Sequence, residues 1–117
     1  MGKETRDALV LYARVPRPGA VKTRLCPWLS SAEALALHLA LIEDSIHLMK
    51  SAAGESGAVS LIAWSEPWDP AECGPHASLA RAASGLARIP QSGDDLGERL
   101  EGTFRALLAR GHPGVVI

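Results

Sequence analysis

The chain has 117 residues, 47% of them apolar, with 12 basic and 13 acidic side chains and a formal net charge of −1. A chain of this make-up can bury about two thirds of its unfolded surface, which excludes a disordered body. The balanced charge argues against a nucleic acid or an anionic lipid surface as partner, and no apolar run approaches the ~20 residues of a membrane span.

Asp7 to Val15 carries the near-continuous apolar run Ala8-Leu9-Val10-Leu11-Tyr12 and predicts a central strand covered on both faces. Pro16 and Pro18 end it. Ser30 or Ser31 is the expected cap of the first helix. Ser30 and Glu33 have capping-box spacing, with Leu29 placed as a staple. Leu35, Leu39, Ile42, Ile46 and Met49 form one apolar stripe, and the helix is expected to fade at Ala53-Gly54 with Lys50 favourable near its end. Ala58 to Trp64 predicts a second strand. Asp69 to Arg81 holds a short irregular helix, and Leu86 to Ile89 a weak third strand. Asp94-Asp95 caps a helix to about Ala109, with Leu96, Leu100, Phe104, Leu107 and Leu108 expected inward and Gly111 ending it. Gly114 to Ile117 is a fourth strand or its first half.

Helical crossovers between apolar strands predict a three-layer, Rossmann-like α/β domain with a mostly parallel sheet. No linker divides the chain, so 1–117 reads as one domain, ending within the fourth strand. Cys26 and Cys73 form no CxxC and fit a reducing compartment; no signal-peptide pattern precedes the first strand, and the expected location is cytoplasmic.

Arg14, Arg17, Lys22 and Arg24 place four cations within eleven residues, on a loop stiffened by Pro16 and Pro18 and turned by Gly19. Open parallel sheets bind ligands at the carboxyl ends of their strands, where this loop begins. Lys22 offers a mobile point charge and Arg24 a fork for two phosphate oxygens. A nucleotide or another phosphorylated ligand is the expected partner; ordinary solvated cations are the alternative. Neither GxGxxG nor GxxxxGK[ST] is present.

Pro16-x-Pro18-Gly19-x-x-Lys22-Thr23-Arg24-Leu25 resembles the signature of a family of small bacterial GT-A-fold proteins described as glycosyltransferases (DUF2064). That family is related to nucleotide-diphospho-sugar transferases and nucleotidyltransferases. Gln91-x-Gly93-x-Asp95-Leu96-Gly97-Glu98-Arg99-Leu100 is a second match, and the helix with Glu43-Asp44 fits between them. The resemblance implies the N-terminal part of a GT-A sheet and a nucleotide pocket. Arg14, Gly19, Lys22, Thr23 and Arg24 would embrace base and phosphates, with Gln91, Gly93, Asp95 and Arg99 beside them holding the nucleotide or bracing the loop. It implies transfer of a sugar from a nucleotide-sugar, or of a nucleotidyl group from a nucleoside triphosphate, with Mg²⁺ or Mn²⁺ offsetting pyrophosphate charge. Relatives continue into a Gly-Ser-Asp-type turn whose Asp helps bind that cation. This sequence stops at Ile117 ahead of such a turn, so a truncated or incomplete unit is expected. A catalytically inactive structural or assembly module, self-associating through an open sheet edge, is the alternative.

The remaining polar residues read more plainly. Asp94 and Asp95 suit a helix start, and Glu43 and Asp44 a solvated face. His38, His47, His76 and His112 form no tight metal pattern and suit surface or structural places. Trp64 and Trp68 fill the rim of the core or stack on a base, and Trp28 is expected to pack where the cationic loop enters the helix.

Overall fold

The computed structural model describes residues 6–17, 19, 21, 25, 28–72 and 76–117. Strand β1 spans Ala8–Ala13, helix α1 Ser31–Ser56 and strand β2 Val59–Trp64. A 3-10 turn at Pro70–Glu72 and the short helix α2 at Ala77–Ala82 lead to strand β3 at Ala87–Arg88. Helix α3 at Leu96–Ala109 and strand β4 at Val115–Val116 complete the order. Among the described residues the four strands form one sheet in the order β3-β2-β1-β4, with every pairing parallel.

The register runs from Ala8 opposite Val59 to Ala13 opposite Trp64, and the same Ala8 faces Val115 on its other side. Side chains on a strand alternate between faces, and the two cores follow that alternation. Ala13, Ile62 and Trp64 pack with Ile42 and Ile46 of α1 and with Leu79 and Ala82 of α2. Ala8, Val10, Leu61 and Ala63 pack with Leu107 of α3 and with Ile89. Helices therefore cover both faces of a parallel α/β sheet, an arrangement compatible with a Rossmann-like fold. Among the described residues no helix is long and apolar enough to cross a membrane.

Helix α1 starts as its sequence dictates. The Ser30 side chain accepts from the Glu33 amide and Glu33 returns a carboxylate to the Ser30 amide, a complete capping box. The Ser30 amide, and after it the Ser30 hydroxyl, hold the Glu33 carboxyl below its ordinary value of 4.5. The end differs from the sequence reading. Gly54 lies inside the helix, and Gly57, at φ 74°, supplies the left-handed residue whose amide bonds the Ala53 carbonyl. Lys50 therefore sits short of the last turn and donates to the Ser84 carbonyl at 2.9 Å, tying α1 to the segment after α2.

The inward face of α3 is also narrower than its leucines suggest. Thr103 and Leu107 are buried and Leu100 is half-buried, whereas Leu96, Phe104 and Leu108 are exposed. Residues four apart drift about 40° around a helix, so Phe104 and Leu108 turn progressively away from the face of Thr103 and Leu107, while Leu96 is at the first position of the helix, on the cavity lining. Trp28 is 81% exposed, not packed as expected.

Candidate functional site

A cavity of about 410 Å³ opens at the carboxyl edge of the sheet. Tyr12, Ala13 and Arg14 from the end of β1 form one wall, and Ser65, just past β2, forms the floor. Gln91, Asp94, Asp95, Leu96 and Arg99, from the loop after β3 and the first turn of α3, form the other wall. The volume lies within the ordinary range for a small-molecule site.

Arg99 holds this wall together. Its Nε donates to the Gly93 carbonyl at 3.0 Å, and its Nη1 reaches Gln91 Oε1 at 3.2 Å and the Ser65 carbonyl at 3.4 Å. Gln91 is engaged at both ends, since its Nε2 donates to the Ala63 carbonyl at 2.7 Å. One guanidinium thus joins α3, the loop and the end of β2. The Arg99 carbonyl in turn accepts from the Tyr12 hydroxyl at 2.7 Å and from Thr103 Oγ1 at 3.0 Å, and the two hydroxyls also contact each other. A planar fork with several fixed donors suits such a junction better than a lysine would.

Gly93 makes the junction possible. Its φ of 142° is a conformation that other residues rarely adopt, and an added Cβ would lie 2.8 Å from Glu98 Cβ and 2.9 Å from the Arg99 amide. The loop is pressed directly against the start of α3. Asp95 caps that start, its Oδ1 accepting from the Glu98 amide at 2.8 Å, while Glu98 accepts from the Asp94 amide at 2.8 Å. Between the walls, Ser65 accepts the Val15 amide at 3.0 Å and donates its own amide to the Ala13 carbonyl at 2.8 Å. His38, buried on α1, donates from Nε2 to the Arg14 carbonyl at 2.8 Å. The backbone that presents Arg14 is therefore fixed on two sides.

The structure gathers Arg14, Gln91, Asp95 and Arg99 around one cavity and sets Gly93 in its wall. Gln91 spends both ends of its amide on the wall itself, Asp95 one oxygen, and Arg99 its Nε and Nη1. Among the described residues the Arg14 guanidinium makes no hydrogen bond or ion pair, and Arg14 and Asp94 are both exposed along the cavity lining. Arg17 pairs with Glu66 at 2.8 Å, so the charge of that member of the cationic cluster is offset locally. Gly19 takes a φ of 75°, the turn its residue type permits. Lys22, Thr23 and Arg24 lie outside the described residues. Tyr12 and Ser65 are site residues that the sequence reading missed. Tyr12 left one signal: it is the chain's single tyrosine, set at the end of an apolar strand, and a half-buried phenol needs a partner.

Among the described residues Asp94 and Asp95 are the only carboxylates lining the cavity, and Asp95 is already a helix cap. Among the described residues no three metal-ligating side chains gather anywhere. These residues alone do not make a divalent-cation cage. A scan of the chain against protein-family models finds no matching family, and searches of curated proteins and of solved structures return no match.

Proposed function

We propose that the cavity at the carboxyl edge binds the phosphates of a nucleotide or nucleotide-sugar, as part of a GT-A-type glycosyltransferase or nucleotidyltransferase domain. The observation that carries this reading is the convergence of Arg14 with the braced Gln91–Arg99 wall at the carboxyl ends of parallel strands. Arg14 offers a charged fork for phosphate oxygens, and the Arg99 guanidinium behind the wall adds positive potential without leaving its hydrogen bonds. Lys22 and Arg24 would complete the phosphate site from the same loop, as the sequence motif suggests. Developing charge on a leaving pyrophosphate or nucleoside diphosphate would then meet fixed cations.

Calorimetric titration with GTP, UTP and nucleotide-sugars, each with and without Mg²⁺ or Mn²⁺, tests this reading. Saturable binding by at least one of them, weakened about tenfold in Arg14→Ala and in Lys22→Ala, supports it. No binding by any ligand, or variants indistinguishable from the unaltered chain, contradicts it.

A second reading rests on the other end of the sheet. Among the described residues β4 is an edge strand, Val116 is exposed, and an apolar groove of about 280 Å³ runs between Leu9, Leu11, Leu48, Met49 and Val116. An assembly module pairing two copies at this edge would bury that groove. Light scattering that reads a monomer across a hundredfold range of concentration contradicts it.

A further inference from the structure

A second cavity, of about 320 Å³, opens on the far side of Gln91. Trp64 closes β2 beneath it, Pro67 and Trp68 come from the loop that follows β2, and Ile89 and Pro90 come from the exit of β3. It therefore sits past the carboxyl ends of β2 and β3, whereas the first cavity sits past β1. Gln91, bonded on one side to Ala63 and on the other to Arg99, is the wall between the two.

The lining is mostly apolar. Trp68 meets Trp64 edge to face, with centroids 4.8 Å apart at 78°, and meets His76 at 5.6 Å and 65°. These contacts fix the half-buried Trp68 ring beside Trp64 and His76. The polar groups nearby are engaged with the protein. Glu66 pairs with Arg17 at 2.8 Å, and Arg88 reaches the Trp68 carbonyl and Asp69, each at 3.4 Å. Two polar atoms have no partner among the described residues, the Trp64 indole Nε1–H and His76 Nδ1, and both are buried away from the open recess.

We propose that this recess is a separate binding site for a planar aromatic group of one or two fused rings. Fixed aromatic edges and proline faces attract such a ring through area and quadrupole, while charges already paired give little to an anion. The recess and the phosphate cavity differ in chemistry, so either site can exist without the other. The ring comes either from the base of a nucleotide or from a free aromatic molecule.

Tryptophan fluorescence distinguishes the outcomes. The chain has three tryptophans, and Trp28→Phe removes the exposed one, leaving Trp64 and Trp68 as reporters. Guanosine, uridine and cyclohexanol are titrated in turn, indole, which shares the reporters' emission, is followed by saturation-transfer NMR, and inorganic pyrophosphate is titrated separately by calorimetry to read the other cavity. Saturable quenching by nucleosides and saturable transfer to indole, with cyclohexanol inert, support the site; nucleosides alone identify a base, and indole alone a free aromatic. Trp68→Leu is expected to lower the affinity at least tenfold. Saturation-transfer NMR on ligand ring protons with the unaltered chain gives the same reading where a variant does not fold. Failure of all three aromatics to bind, or equal binding of cyclohexanol, overturns the proposal, whatever pyrophosphate does.

Discussion

Helices α1 and α3 both cross between parallel strands and both begin at a side-chain cap, yet they are used differently. Helix α1 turns Ala34, His38, Ile42, Ile46 and Ala53 into the protein and serves mainly as core. Helix α3 buries only Thr103 and Leu107, leaves Leu96 62% and Leu108 52% exposed, and commits its first turn to Asp95, Arg99 and the Gly93 loop. The helix that shapes the candidate site contributes least to the core. Residues held for a site are commonly not those that would maximise stability.

Substitutions can break this contrast. Ile46 is fully buried between α1 and the sheet, so Ile46→Ala is expected to cost about 2–5 kcal/mol in chemical denaturation. Its effect on ligand binding should vanish wherever the variant stays folded. Arg99→Ala should do the reverse in emphasis. Losing its charge-assisted hydrogen bonds is expected to cost about 2 kcal/mol of stability and to weaken nucleotide binding about tenfold, with Arg99→Lys restoring part of each. Equal and opposite results for the two residues would abolish the division of labour. Leu108→Ala, on the exposed side of α3, should move stability by less than about 0.5 kcal/mol.

The smallest effect belongs to pH. Because the folded Glu33 carboxyl is held below its ordinary value, its capping contribution is fully present above pH 4.5 and is lost as pH falls through the lowered folded value. Amide exchange at the first turn of α1 should quicken over that acid range, and Glu33→Gln should remove the response.

The same contrast explains what the sequence disclosed. Strands β1 and β2 are legible because continuous apolar runs between turn residues allow little else, and the Ser30–Glu33 box marks the start of α1 locally. The end of α1 was misread at Gly54 because a solvent-facing glycine is tolerated in a long helix. The stop needs a left-handed residue, and Gly57 supplies it. The inward set of α3 was misread because one of its two buried residues is polar: Thr103 is buried through its bond to Arg99 and its contact with Tyr12. The segment from Gln91 to Arg99 was read beside a pocket through its resemblance to a family motif, and only the Asp95 cap carried a local physical signal. Tyr12 and Ser65 were not, because their partners lie 50 to 91 residues away and no local pattern records such contacts. The pairing of Arg17 with Glu66, 49 residues apart, was hidden for the same reason.

The central claim is that anionic ligand groups bind at the carboxyl edge of β1, against the wall that Arg99 braces. Backbone amide shifts in a ¹⁵N-labelled chain titrated with pyrophosphate locate the ligand directly. The account predicts saturable shifts concentrated at Ala13, Arg14, Ser65 and the Gln91–Arg99 segment, with α1 beyond His38 unmoved. Shifts confined to other surfaces, or no saturable shift at millimolar pyrophosphate, would contradict it.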